Sequence, residues 1–273
     1  MKKKILLLIA VLAIGLLFVN ANPLEILETF AVPDAPNESE PQDADPDPDA
    51  PAVALDQPAD APAEEEMDIP QEPELPEIDF VNDSVDELVD RLSYMETPIE
   101  GRSVTSVNGQ LPNAPRNYRN GVHEGLDYYN TIGRDVLAAG PGTVIRADHG
   151  YVEMTLEEYE DVIRRSITAN GTPPELLDKL RGMQVWIEHP DGVVTRYAHL
   201  KEIRPEITEG TIVETGQAIA TVGNTGMRAN VTGVIESPSG EPHLHFEIWQ
   251  GNTFLGQGRS PDTVRRLYSR ILN

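Results

Sequence analysis

Two pairs of side chains that could bind a metal ion stand about a hundred positions apart in the chain. His243 and His245 are separated by one residue, and His123 and Asp127 by three. In an extended strand, side chains at positions i, i+2 and i+4 point to the same face, so each pair projects in one direction. If the strand that carries His123 lies beside the strand that carries His245, three donors converge and leave a fourth tetrahedral position for water. This arrangement is typical of catalytic zinc and makes hydrolysis the leading hypothesis.

The spacing of His123 and Asp127 also suits one face of a helix, but Gly125 and the residues after it favour extended chain. We therefore predict a strand. Glu124 resembles the glutamate of a His-Glu-x-x-His zinc helix, yet position 127 is Asp and the flanking sequence is not helical. We expect Glu124 to be a surface residue. The spacing does not decide which of His243 and His245 binds the metal.

Hydrolysis at zinc also requires a proton acceptor and a donor for the oxyanion. The candidates are His243 and His199, which lies at the end of an apolar strand; each could otherwise be an ordinary core or surface histidine. Glu247 follows His245 by two residues and could orient its imidazole from behind, or could face solvent instead.

Short apolar runs separated by Gly, Pro, Asn and Asp predict a mainly β fold from Pro98 onward. Such runs occur at 142–146, 185–188, 193–197 and 245–249. The sequence His-Pro-Asp-Gly at 189–192 predicts a hairpin turn, with His189 at the surface.

Several segments interrupt this β pattern. The stretch 155–180 predicts two inserted helices, and 227–241 predicts a polar loop; both are expected to border the cleft. Ser260 and Pro261 open a structural helix that runs through Leu272. The segment 80–97 predicts a short amphipathic helix capped by Ser84 or Asp83, which packs on the catalytic domain or binds a partner. Its apolar stripe consists of Val85, Leu88, Val89, Leu92 and Met95.

The N-terminal part has the composition of exported proteins. Three lysines precede the apolar run 5–19, which predicts a signal peptide over residues 1–21 or an uncleaved anchor that tethers the protein to the membrane. After a short lead-in at 22–32, the stretch 33–79 has seventeen acidic residues, eleven prolines and no Lys, Arg or His. It predicts a disordered tether. We expect the protein in the cell envelope, the periplasm or outside the cell.

Composition also excludes some partners and ligands. The net charge is −25, and most of it comes from the tether, so nucleic acid is not an expected partner. The chain has no cysteine, which excludes disulfides and thiolate ligands and leaves imidazole and carboxylate as metal donors.

Together, these motifs resemble those of the lysostaphin/LytM-type zinc metallopeptidases, which are cell-wall endopeptidases. The resemblance covers 98–273 and rests on His-x-x-x-Asp at 123–127, Ala-His-Leu at 198–200 and Pro-His-Leu-His-Phe-Glu at 242–247, with Gly-rich segments at 138–144 and 213–226. It implies an antiparallel β-sheet or sandwich of the duplicated-hybrid-motif type that binds one zinc ion. It also implies His123, Asp127 and His245 as zinc ligands and His199 and His243 as the catalytic pair. The implied substrate is the peptide of peptidoglycan stems or cross-bridges.

The chain departs from that family in two connections. The insertion at 155–180 and the loop at 227–241 are longer than usual and could reshape or shield the groove. Two other hypotheses remain open. One is a non-catalytic scaffold that activates another cell-wall hydrolase, a regulatory partner; such relatives typically lack metal or catalytic residues, whereas this chain has them all. The other is a peptidase that cuts a protein outside the wall.

Overall fold

The computed structural model describes residues 78–169, 171–235 and 240–272. The predicted signal or anchor, the lead-in and the tether up to residue 77 lie outside these ranges. The helices are α1 (Val85–Arg91), α2 (Leu156–Thr168), α3 (Pro174–Arg181), α4 (Arg228–Thr232) and α5 (Pro261–Ile271). The strands are β1 (Pro115–Arg116), β2 (Gly121–Val122), β3 (Leu126–Tyr129), β4 (Asp135–Leu137), β5 (Gly142–Ala147), β6 (Val185–Glu188), β7 (Val194–Ala198), β8 (Leu200–Ile203), β9 (Ile212–Val213), β10 (Ala218–Val222), β11 (His243–Gln250) and β12 (Thr253–Phe254). The fold is therefore mainly β, as the sequence predicts.

The strands of the described ranges pair antiparallel. The largest sheet has the order β12-β11-β7-β6-β5-β9, with β3 also paired to β11. A second sheet has the order β4-β10-β8, and β1 and β2 form a separate ribbon. Strand β11 is central, because one edge pairs with β7 and the other with β3 and then β12.

Strand β11 separates the core from the candidate site. Leu244, Phe246 and Ile248 are fully buried and belong to the main hydrophobic core. Because successive side chains of a strand point to opposite faces, His243, His245 and Glu247 share the other face. Burying one set of residues therefore determines the direction of the other.

The terminal helices pack against this same core. Ser84 caps α1 through a capping box with Glu87, and Ser260 caps α5. The helix α1 is shorter than the predicted stripe: Leu92 and Met95 lie beyond it but are still buried. The end of the predicted tether also differs from the prediction, because Ile78 is buried in the core.

The insertion forms the two predicted helices, and they share a small apolar cluster of their own. Thr155 caps α2 through a capping box, and a proline opens α3. Tyr159, Val162, Leu176 and Leu180 are buried between the two helices, apart from the main core. Arg146 of β5 binds Asp178 of α3 at 2.6 Å and so attaches the pair to the sheet.

The hairpin at 189–192 is confirmed between β6 and β7, but the expected exposure of His189 is wrong. The side chain is 2% exposed. Its Nδ1 donates to the carbonyl of Pro141 at 2.7 Å, its Nε2 lies 3.0 Å from Thr195 Oγ1, and its ring packs against Tyr94. His189 thus faces inward, because the residues that follow α1 and those that precede β5 cover it.

The polar segment 227–241 is not a loop throughout, since α4 forms within it; residues 236–239 lie outside the described ranges. None of the helices in those ranges has the length and apolar character needed to span a bilayer.

Candidate metal centre

The pairing of β3 with β11 places Asp127 directly opposite His245. His123 is not in the same strand as Asp127, which corrects the prediction of one continuous strand. It lies in the connection between β2 and β3, where its backbone bonds to Ala114 and Asn113. Gly125 allows this connection to approach β11, because a Cβ there would lie 2.4 Å from the carbonyl oxygen of Phe246.

The three predicted metal ligands converge. Asp127 Oδ1 lies 2.9 Å from His123 Nε2 and 2.9 Å from His245 Nδ1, and these two nitrogens are 2.9 Å apart. All three side chains are buried. In tetrahedral zinc coordination with bonds of about 2.0–2.1 Å, ligand atoms lie roughly 3.3 Å apart. The triangle is slightly tighter than this and needs only a small expansion, so the donor set fits zinc.

Acceptor groups around the site determine which ring nitrogens point into it. A carbonyl oxygen can only accept, so Nδ1 of His123 donates to Leu111 O at 3.0 Å and leaves Nε2 free for a metal. Nε2 of His245 lies 2.7 Å from Glu247 Oε1 and donates to it, which leaves Nδ1. The two imidazoles would therefore bind through opposite nitrogens, each held by the hydrogen bond of the other nitrogen.

The electrostatics of the site reflect the close approach of Asp127 to the imidazoles. Burial alone would raise the pKa of Asp127, but His123 and His243 hold it well below the usual range. Burial lowers the pKa of His123 to about 4. Although burial opposes it, hydrogen bonds to Asp127 and Glu247 raise the pKa of His245 to about 9.

His199 and His243 lie beside this triangle. Their rings are 5.0 Å apart, and the ring of His199 is 5.7 Å from that of His245. His199 Nδ1 donates to Thr225 O at 2.8 Å and His243 Nδ1 to Glu241 O at 2.8 Å, so each keeps Nε2 free. His243 Nε2 lies 3.6 Å from Asp127 Oδ1.

Burial lowers the pKa of both His199 and His243. Burial thus favours the neutral form of both rings. Stacking of Tyr129 on His243, with ring centroids 4.6 Å apart, further restrains that imidazole.

Two glutamates, Glu247 and Glu124, lie near the site, and each has a different partner. Glu247 is fully buried and orients His245, so the solvent-facing alternative is excluded. Glu124 is buried, which corrects its expected surface position, and its carboxylate binds Arg119 at 2.7 Å. Since both carboxylates have arginine partners, the grouping of Glu124, Glu247 and His245 is better satisfied by ion pairs than by a second metal ion.

The site opens into a cleft of about 820 Å³. As expected, both long connections border it: Tyr159 and Ile163 of α2 lie on one side, and Met227 and Ala229 near α4 on another. The insertion therefore forms part of the wall of the cleft.

Three supporting residues were not among the predicted site residues. Arg116 binds the outer oxygen of Asp127 at 3.3 Å, Arg181 binds Glu247, and Thr225 holds His199. Arginine and threonine are common residue types, and these three residues are distant in sequence from the groups they contact. Neither spacing nor composition therefore identifies them.

A family model described as peptidase family M23 matches residues 121–257, about half of the chain. The match includes all five residues of the site. The antiparallel β fold, the buried His/Asp/His group and this family match together define a metallopeptidase-type domain. The chain belongs to peptidase family M23.

Among curated proteins, the chain is similar to peptidoglycan DD-endopeptidase ShyC of Vibrio cholerae, with 27% identity over 174 residues, covering 63% of this chain and 29% of ShyC. It is also similar to ShyB of the same organism, another peptidoglycan DD-endopeptidase, with 32% identity over 126 residues, covering 46% of this chain and 20% of ShyB. The chain thus spans less than a third of the length of these relatives.

Among solved structures, a zinc containing peptidase from Vibrio cholerae aligns with 26% identity over 59% of this chain and 38% of that one, with a TM-score of 0.37. The catalytic domain of EnpA, a prophage-encoded M23 protein from Enterococcus faecalis, aligns with 20% identity over 62% of this chain and 95% of that one, also with a TM-score of 0.37.

Proposed function

We propose that this chain is an exported zinc endopeptidase that hydrolyses peptide bonds in peptidoglycan stems or cross-bridges. His123, Asp127 and His245 hold one zinc ion in this proposal, and His199 and His243 are the catalytic pair. The observation that carries it is the convergence of four imidazole nitrogens and one carboxylate oxygen in a cleft. Each of these nitrogens is left free by a hydrogen bond from the other nitrogen of its ring.

Zinc bound at such a site supplies a water with a pKa near 7 and polarises a carbonyl oxygen. The proton transfers fall to side chains of the protein. Nε2 of His199 and Nε2 of His243 can each accept a proton, because the backbone carbonyls occupy both Nδ1 positions. Once protonated, either ring can donate to the developing oxyanion or return the proton to the leaving amine.

The substrate class rests on family membership and on similarity to proteins named peptidoglycan DD-endopeptidases. The cleft volume of about 820 Å³ is large enough for a short extended peptide. Export rests on the charged and apolar order of residues 1–21.

Purified full-length protein tests this function. We expect one zinc per chain by elemental analysis and release of peptide-linked fragments from purified sacculi, identified by mass spectrometry. A chelator should abolish the activity, and added zinc should restore it. A glycine-rich protein serves as the competing substrate.

The outcomes separate the hypotheses. A metal-free protein that leaves sacculi intact but stimulates a cell-wall amidase would overturn the proposal in favour of a scaffold. Cleavage of the protein substrate with intact sacculi would retain the zinc peptidase but reject peptidoglycan as its substrate.

A further inference from the structure

Arg181 is the last residue of α3 and is 5% exposed, although it comes from the insertion rather than from the sheet that carries the site. Its guanidinium makes a two-pronged contact with Glu247. Nε lies 2.8 Å from Oε1, and Nη2 lies 2.9 Å from Oε2. Such paired, charge-assisted hydrogen bonds restrict both position and orientation of the carboxylate.

Glu247 transmits this restraint to a metal ligand. The same Oε1 that binds Arg181 accepts the Nε2 proton of His245 at 2.7 Å, while Oε2 accepts from the indole of Trp249. Glu247 has no solvent exposure, so its charge depends on buried cationic partners. Arg181 is the nearer arginine, since Arg196 lies 3.8 Å away.

A second contact from Arg181 reaches His199. The carbonyl oxygen of Arg181 accepts the backbone N–H of His199 at 2.8 Å. His199 has φ 59°, a left-handed conformation that residues with a side chain rarely adopt and that surrounding contacts must maintain. Gly182, the next residue after Arg181, packs against Thr225, whose carbonyl holds the His199 ring.

We propose that Arg181 is a positioning residue that holds the metal ligand His245 through Glu247 and the catalytic residue His199 through its own carbonyl; this rests on the function proposed above. The α2–α3 insertion is then a structural part of the metal centre as well as a wall of the cleft. Removing a residue that supports a metal ligand through hydrogen bonds typically lowers metal affinity or activity by about 10–100-fold.

Arg146 provides a matched control. It also attaches α3 to the sheet, through Asp178 at 2.6 Å, but it forms its ion pairs with Asp178 and Asp148 rather than with Glu247. Arg146→Met therefore removes a docking contact of the insertion without changing the hydrogen bond to His245. A purely structural role for Arg181 predicts the same behaviour for Arg181→Met and Arg146→Met.

The experiment measures zinc affinity of the two full-length variants by competition with a chromogenic chelator, together with kcat/KM on sacculi fragments. We expect Arg181→Met to lose about 10–100-fold in zinc affinity and Arg146→Met to stay close to the wild type. In the zinc-loaded wild type, NMR should show a slowly exchanging Nε2 proton on His245. This signal should weaken or disappear in Arg181→Met and persist in Arg146→Met.

Arg181→Met alone leaves the buried Glu247 carboxylate without the Arg181 guanidinium and could fail to fold. The double variant Arg181→Met/Glu247→Gln removes both charges of this ion pair, so we expect it to fold even in that case. Reduced zinc affinity in a double variant with a melting temperature near that of the wild type supports positioning. Wild-type zinc affinity in the double variant, or equal zinc affinity in Arg181→Met and Arg146→Met, would overturn the inference. A wild-type protein that binds no zinc and cleaves nothing would overturn the proposed function, and this inference with it.

Discussion

Four histidines surround the candidate metal position, and their hydrogen bonds divide them into two groups. His123 and His245 share the oxygen Oδ1 of Asp127 at 2.9 Å, as expected for ligands of one ion. His199 and His243 instead present free Nε2 atoms beside that position. Their geometry thus favours different roles for residues of identical type.

This division predicts that two alanine substitutions differ in their effect on zinc binding. His245→Ala should lose zinc and activity together, because it removes one of three ligands. His199→Ala should retain zinc and lose about 10²–10⁴-fold in kcat, because it removes a group that transfers protons. Elemental analysis and turnover on sacculi fragments measure both effects. Full activity in His199→Ala would contradict its assigned role.

The end of α3 depends on a glycine that no other residue can easily replace. Gly182 has φ 68°, and a Cβ there would lie 2.4 Å from the backbone of Thr225. Gly101 has nearly the same φ, 70°, but open space around it. Gly101 therefore measures the cost of a positive φ where no atom is close, whereas Gly182 combines a positive φ with ψ −142° and the close approach to Thr225.

We expect Gly101→Ala to lower the free energy of unfolding by about 1–2 kcal/mol, the cost of a left-handed conformation. Gly182→Ala should lower it by roughly 2–5 kcal/mol, because φ 68° with ψ −142° is a conformation almost restricted to glycine and because overpacking against Thr225 adds to its cost. Its activity should also fall, since Thr225 supports His199. Urea denaturation provides the comparison, and equal losses in the two variants would show that the close approach to Thr225 is not maintained.

The β6–β7 hairpin carries a buried histidine with a predicted pH dependence. Burial lowers the pKa of His189 in the folded protein, so the unfolded state binds more protons below the ordinary histidine pKa of about 6.5. Stability contributed by neutral His189 is therefore complete above that pH and decreases as the pH falls toward the folded-state pKa.

His189→Gln should retain the bond to Pro141 and remove this titration. We expect its free energy of unfolding to decrease less than that of the wild type between about pH 8 and pH 5. Urea denaturation of both proteins at each pH measures this difference. The other histidines contribute equally to both proteins, so their contributions cancel. Identical pH slopes would indicate that His189 titrates normally.

The boundary between tether and folded domain is testable on the whole chain. Composition predicts that deleting 33–77 leaves the melting temperature unchanged, because an acidic, proline-rich stretch adds no core. Ile78 is 3% exposed within the core, so Ile78→Ala should cost about 2–5 kcal/mol. Thermal unfolding measures both, and a large loss from the deletion would place the boundary earlier.

Much of the fold follows from local patterns in the chain. Alternating and apolar runs predicted β5, β6, β7 and β11 within one or two residues, a capping signal predicted α5, and the residue types of 155–180 predicted both inserted helices. These features could be predicted because strand alternation, turn residues and helix caps depend on neighbours in sequence. The segment 227–241 was less predictable, since the short α4 has no side-chain cap.

The amino-acid composition alone shows which groups are available for chemistry: imidazole and carboxylate donors, and no thiol. How these groups are held depends on contacts between distant parts of the chain. The register of β3 on β11 sets Asp127 opposite His245, and burial of Glu124 and His189 results from segments distant in the chain. The contact between Arg181 and Glu247 joins residues 66 positions apart. Such contacts leave no local pattern, because the free energy that selects them comes from packing of the whole domain.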